Sequence, residues 1–205
     1  MTFTRMLMAI LLLVGGWTQA SDSTADPVAL IRSTADYVLE QVRERKAELQ
    51  KDSSGIYELV QEKVLPHFDF RIMSRGALGK YWRRASEAQK QRIAREFREL
   101  LVRTYATTLL NYSDQEVEYL PFRGKPEDKR VTVATRVHDQ GGPPIPINYR
   151  LYRTSDGRWK IYDVVVDGVS LVSNYRSSFA AEVKKSGIEG LISSLARHNR
   201  KQRGA

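Results

Sequence analysis

The stretch Trp159-Lys160-Ile161-Tyr162-Asp163-Val164-Val165-Val166 constrains this chain more than any other. A strand with one wet face alternates apolar and polar residues, whereas here apolar groups point to both sides and each side needs a cover. Thr154-Ser155-Asp156-Gly157 just before it is turn chemistry, joining it as a hairpin to the alternating run Ile145, Ile147, Tyr149, Leu151. Counting across that turn sets Tyr149 opposite Val164 and Ile147 near Val164 or Val166, with a bulge able to reverse the facing. The expected continuous apolar face is Ile145, Ile147, Tyr149, Leu151, Tyr162, Val164 and Val166, leaving Trp159, Ile161 and Val165 on the opposite side.

Period two extends upstream: Val117 and Tyr119 alternate with Glu116 and Glu118, and Val131, Val133 and Val137 with Thr132, Ala134, Arg136 and His138. Before Asn111 the period is helical. Asp26-Pro27 offers a capping carboxylate and a proline at the first helical position, ahead of Leu30, Ile31, Thr34, Tyr37, Val38, Val42 and Leu49. Ser53-Ser54 opens a shorter helix that Pro66 stops or bends, and residues 68–82 read as one or two short helices interrupted near Gly76 and Gly79. Ser86-Glu87-Ala88-Gln89 is a capping box opening a stripe of Ile93, Phe97, Leu100, Leu101, Tyr105, Leu109 and Tyr112. Past the strands, Leu171, Val172, Tyr175, Phe179 and Val183 return to helical spacing. Ser186-Gly187-Ile188-Glu189 reads as a second capping box, and residues 197–203 as a frayed basic tail. Helices, then an antiparallel sheet of about four strands, then helices define an α+β chain. The expected boundaries are a leader over 1–20 and one domain over 21–205, helical at 26–112, sheet at 115–167 and helical again at 170–199.

The leader is read from Arg5, the apolar run Met6 to Val14, and small residues at Thr18-Gln19-Ala20. That run is too short to cross about 30 Å of hydrocarbon, and Ser21 stands where a lipoprotein would carry cysteine. The chain contains no cysteine, which removes thiolate metal sites and cysteine nucleophiles. Lys and Arg number 33 against 24 Asp and Glu, a net charge of +9. On an exported chain this balance points to anionic lipid headgroups or acidic proteins as partners, and no nucleic acid is expected.

The catalogue of catalytic motifs is empty: no glycine-rich phosphate loop, no HExxH, no nucleophile elbow. His67, His138 and His198 stand far apart in unlike contexts, so no metal, cofactor or catalytic residue is assigned. Asp163, interrupting an apolar strand, has two readings. It is a general base of raised pKa in a small cone-shaped isomerase-like enzyme, or it is a carboxylate bonded to backbone N–H groups or an arginine. The second is preferred because no second acid or oxyanion donor accompanies it. Tyr81-Trp82-Arg83-Arg84 reads as an interface anchor or as packing at a helix end. An exported basic adaptor that binds proteins alone is a further alternative.

Five ordered blocks resemble the MlaC family, also called toluene-tolerance auxiliary proteins. They are Val64-Leu65-Pro66-His67-Phe68-Asp69; Ala77-Leu78-Gly79-Lys80-Tyr81-Trp82 followed by Gln89; Phe97 to Tyr105; Tyr162-Asp163-Val164 with Gly168-Val169-Ser170-Leu171; and Gly187-Ile188-Glu189-Gly190-Leu191. The resemblance implies a periplasmic phospholipid carrier rather than an enzyme, shuttling lipid between outer and inner membranes to maintain outer-membrane lipid asymmetry. Acyl chains would lie in an apolar cavity between sheet and helices with the headgroup outside. Its implied partners are an outer-membrane lipoprotein–porin complex and an inner-membrane ABC transporter with an MCE-domain subunit; no cofactor is implied, and a monomer is expected. Spacing in this chain, not the family, supplies the expected lipid contacts. Val133, Val137, Ile147, Tyr149, Leu151, Val164 and Val166 form one wall, faced by Ile72, Met73, Phe97, Leu101, Tyr105, Val169, Leu171 and Tyr175.

Overall fold

Residues 26–111, 115–125, 127–138 and 142–203 are described by the computed structural model, and the expected leader and Tyr112 lie outside them. Helix α1 (Pro27–Glu44) starts where Asp26 Oδ1 accepts the Val28 N–H at 2.8 Å and Pro27 fills the first helical position. Arg45 separates it from α2 (Lys46–Lys51), and α3 (Ser54–Leu59) runs into a π turn (Val60–Val64). A 3-10 turn (Leu65–His67) follows, where Pro66 lacks the N–H that a continuing helix needs. Helix α4 (Phe70–Leu78) is capped by Asp69, which accepts the Ile72 N–H, and ends at Gly79. After a second 3-10 turn (Gly79–Arg84), Ser86 and Gln89 exchange the two hydrogen bonds of the expected capping box and open α5 (Glu87–Tyr105).

Strands β1 (Glu116–Tyr119), β2 (Arg130–His138), β3 (Ile145–Arg153), β4 (Trp159–Val166) and β5 (Val169–Ser170) form an antiparallel sheet in chain order. The fifth strand exists because Asp167 and Gly168 both take positive φ, 48° and 79°, and fold the chain straight back on itself. Helix α6 (Leu171–Arg203) follows at once.

The β3–β4 register pairs Tyr149 with Val164 and Ile147 with Val166, as the turn count requires. Between the pairs Arg150–Asp163 and Leu151–Ile161 it shifts, leaving Tyr162 as an extra residue on β4. This bulge corrects the expected facing. Trp159 and Ile161 join Val164 on the inner face, while Tyr162 turns outward, 6.3 Å from Tyr152 between ring centroids and beneath the Arg130 guanidinium.

Three apolar clusters result. Phe97 centres the helical one, with Tyr175 and Phe179 edge-on at 5.1 and 5.2 Å, among side chains of α4, α5 and α6. Leu30 and Ile31 of α1 lie against Val131, Val133, Leu151, Trp159, Ile161 and Val164 in the second. Val38, Val42, Leu49, Ile56 and Leu59 make the third. Phe68 and Leu171 touch both the helical and the sheet cluster and so mark the seam between them.

Other expectations are corrected in the helices. Helix α4 runs through Gly76 without a break, and glycine is needed there for approach: a Cβ would stand 2.5 Å from Val172 Cγ1 of α6. Gly187, at φ 73°, breaks the helical path within α6, but Ser186 caps nothing. Its hydroxyl donates back to the Glu182 carbonyl at 3.0 Å, and Glu189 instead pairs with Arg92 at 2.8 Å. The tail is not frayed. It stays helical to Arg203, because buried Asn199 donates to the Glu96 carbonyl and carboxylate at 3.0 and 2.9 Å and pins the last turns to α5.

Two pairs of variants test this layout by urea unfolding. Leu151→Ala should cost about 2–5 kcal/mol, as for a fully enclosed leucine, while Val169→Ala at the exposed turn should cost under about 0.5 kcal/mol. Ser86→Ala should cost roughly 0.5–2 kcal/mol and Ser186→Ala clearly less; equal losses would contradict the cap assignments.

Candidate functional site

The inner face of the sheet is covered unevenly. Along β4 the exposure rises from 3% at Ile161 to 8% at Val164 and 38% at Val166, and reaches 59% at Val169 of β5. Along β3, Leu151 is sealed while Tyr149, Ile147 and Ile145 are half-buried. The reason is the reach of the cover. Leu30, Ile31 and Phe68 lie over the Leu151–Ile161 end, and the cover gives out toward the Asp167-Gly168 turn. The register then sets Ile147, Val166 and Val169 side by side, so a half-covered apolar row crosses three strands.

That row continues onto the helices. Leu171, half-buried, follows β5 directly and touches both clusters. One helical turn on, Tyr175 lays its ring on Phe97 and brings its hydroxyl to Tyr105 and Thr104 of α5. Burial first, and Tyr105 second, push the Tyr175 phenol up to about 12. Tyr105 itself is 42% exposed at the end of α5. On the sheet side, burial raises the Tyr149 phenol above its ordinary value, and the Thr135 hydroxyl bonded to it works in the other direction.

The structure therefore divides the expected lipid contacts. Met73, Phe97 and Leu101 sit inside the helical cluster, and Val133, Leu151 and Val164 inside the sheet cluster, with Val137 also buried. Ile72 is half-buried in the first turn of α4. Along with Ile72, the residues Tyr105, Ile147, Tyr149, Val166, Val169, Leu171 and Tyr175 are the ones left partly or largely open. Sequence reasoning missed Phe68 at the seam and turned Trp159 and Ile161 to the wrong side. The one legible signal for Phe68 was an aromatic placed just after Pro66, where the chain must leave its helix. Phe68 then runs beside Ile161, and Asp69 N–H donates to the Ile161 carbonyl at 2.8 Å.

Asp163 lies on the outer side of β4 with its side chain 5% exposed. Its Oδ2 accepts from Arg150 Nη1 at 3.0 Å and from Ser170 Oγ at 2.7 Å, and its Oδ1 accepts the Val172 N–H at 3.1 Å. Ser170 Oγ in turn accepts the Ser173 N–H at 3.1 Å, so the pair caps the first turn of α6. A carboxylate committed to three donors is an anchor, the second of the two readings of this residue. His67 is half-buried, and burial, then Lys160, lower its pKa. His138 Nε2 lies 2.9 Å from Glu118. Among the described residues no three acidic or histidine side chains converge as a metal-ligand set, and no helix is long and apolar enough to cross a membrane. Tyr81 is buried in the helical cluster with Trp82 against it, the packing role of the two weighed.

The chain is similar to known proteins in sequence and, for one of them, in structure. The family model described as MlaC protein matches residues 32–197. The intermembrane phospholipid transport system binding protein MlaC of Haemophilus influenzae is 23% identical over 180 residues, spanning 87% of this chain and 84% of that protein. The toluene tolerance protein ttg2D of Pseudomonas putida is 24% identical over 179 residues, 87% of this chain and 82% of the other. In three dimensions the chain is similar to a phospholipid-binding protein from Ralstonia solanacearum, solved in complex with a phospholipid. The TM-score is 0.78 at 31% identity, over 87% of this chain and 99% of that one.

The anchor assignment carries its own test. Asp163→Ala strands the Val172 N–H and releases Ser170, and should cost about 1–3 kcal/mol in urea unfolding, with faster amide exchange at residues 171–173. Arg150→Ala removes only the partly exposed donor and should cost less; the reverse order would refute the anchor.

Proposed function

The chain belongs to the MlaC family, and from that premise we propose that it carries phospholipid through the periplasm, between outer and inner membranes, and so helps maintain outer-membrane lipid asymmetry. The observation that supports this reading is the apolar row from Ile147, Val166 and Val169 to Leu171, Tyr175 and Tyr105, left half-covered by the protein's own side chains. Adjacent valines left exposed at a turn need a reason. Hydrocarbon entering between the sheet and α5–α6 along this row supplies one. In this reading Val133, Leu151 and Val164 back the sheet wall, and Met73, Phe97 and Leu101 stiffen the helical wall behind Tyr175, with the headgroup left in water.

The energetics suit a carrier without catalysis. Two acyl chains hold about thirty methylenes, each worth ~0.8 kcal/mol on leaving water, so on the order of 24 kcal/mol opposes release into the aqueous phase. A membrane offers the same hydrocarbon surroundings, so transfer between membrane and protein lies near balance and is governed by docking. The docked complexes we propose are an inner-membrane ABC transporter with an MCE-domain subunit and an outer-membrane lipoprotein–porin complex. The reading in which Asp163 is a general base is not favoured, since its oxygens are already engaged by Arg150, Ser170 and Val172.

Native mass spectrometry of protein purified from periplasm without detergent should find phospholipid bound. Val166→Asp with Val169→Asp, both at exposed positions, should leave the circular dichroism spectrum unchanged and cut the lipid-bound fraction at least about fivefold, because a charge would face the hydrocarbon. Wild-type protein recovered free of lipid, or a double variant as fully loaded as wild type, would overturn the proposal.

A further inference from the structure

A concave surface lies where the 3-10 turn Gly79–Arg84 and the start of α5 meet the break in α6. It is a cleft of about 560 Å³. Roughly twelve helical residues separate Gly187 here from Tyr175 at the apolar row, a rise of about 18 Å. The cleft lies at the point where Gly187 leaves the helical path, with Ser186, whose hydroxyl donates to the Glu182 carbonyl, in its lining. Tyr81, Val183 and Ile188 give its walls an apolar component.

Arg84 and Lys184 line the cleft together with one carboxylate, Glu189, and the next cations along the chain, Arg83 and Lys185, are exposed. None of these four cations has a carboxylate partner among the described residues. Glu189 is held by Arg92 and Gln89 and Glu87 by Arg71 and Lys90, while Glu182 accepts only the neutral Ser186 hydroxyl, so the cations keep a local excess. Uncompensated cations around a partly apolar hollow select an acidic ligand that also carries apolar side chains. A bilayer surface is flat and cannot follow the hollow; a polypeptide can.

We propose that this cleft docks an acidic segment of a partner protein. An apolar side chain sits between Tyr81, Val183 and Ile188, and carboxylates meet Arg84 and Lys184. The inference rests on the carrier reading for the need of a partner, and the lipid content of every sample is measured so that the two stand or fall separately.

The probe is a short fluorescent peptide alternating Glu and Asp with Leu and Tyr, titrated by anisotropy into the lipid-loaded protein. A Gln/Asn version of the peptide and vesicles containing phosphatidylglycerol are the comparisons. The acidic peptide should bind with an affinity that falls as salt rises, and should slow amide exchange at residues 184–190. Lys184→Glu with Lys185→Glu should weaken it about tenfold and Ile188→Ala should weaken it as well, while Arg200→Glu with Lys201→Glu on the far turns should change it less than about twofold. Lipid content should be unchanged in all of them. No binding of the acidic peptide, equal loss in both charge-reversal pairs, or cleft residues that respond to vesicles and not to peptide would overturn the docking site while leaving the carrier reading intact.

Discussion

One buried carboxylate decides how the two layers of this protein meet. Asp163 gathers the guanidinium of Arg150 on β3, the hydroxyl of Ser170 on β5 and the backbone N–H of Val172 in the first turn of α6. Removing such a group from water is costly unless each oxygen finds donors, and here the donors come from three different elements. Satisfying it fixes the short β4–β5 return, and that return fixes where α6 begins. Leu171 is thereby set at the seam, and Tyr175 one turn later reaches Phe97 and Tyr105. A residue that looks like a candidate base thus serves the hydrocarbon side of the molecule from the opposite face of its strand.

The bulge at Tyr162 is the complementary device on the same strand. Without it, the residues on the two sides of position 162 would present their inner groups to different faces. With it, Trp159, Ile161, Val164 and Val166 share one face, and the sheet gains a long apolar floor. The helix laid over that floor reaches only part of it, so burial declines steadily toward Val166 and Val169. A domain optimised for stability alone would close that gap. Leaving it open forgoes roughly 25 cal/mol for each Å² of apolar surface still wet, a modest cost that a hydrocarbon guest would offset.

Charge and apolar surface are kept apart. The open apolar row runs along the β4–β5 turn and the beginning of α6, whereas the uncompensated cations gather at the break in the middle of α6. The long helix, pinned at one end by Asp163 and at the other by Asn199 on Glu96, holds these two surfaces at a fixed separation. A carrier that must recognise its docking partners whether full or empty is served by such a division, because occupancy of one surface leaves the other's electrostatics unchanged.

Much of this was legible in the chain itself. Asp26-Pro27, the Ser86–Gln89 box and the turn at Thr154–Gly157 act through local chemistry, and local chemistry fixed the helix starts, the hairpin and the pairing of Tyr149 with Val164. The resemblance of five short blocks led to the MlaC family, to which the chain belongs. Tertiary structure alone decided the rest. The facing of Trp159 and Ile161 turns on a one-residue slip that no propensity encodes, and Ser186 loses its cap role because Glu182 competes for the hydroxyl. The basic residues 197–203 stay helical where Asn199 meets Glu96, far away in sequence, and where Leu191, Ile192 and Leu195 pack into the helical cluster. Which apolar residues are core and which stay open depends on how far α1 reaches across the sheet. That is a property of packed elements at a distance, and periodicity, which sees only near neighbours, cannot register it.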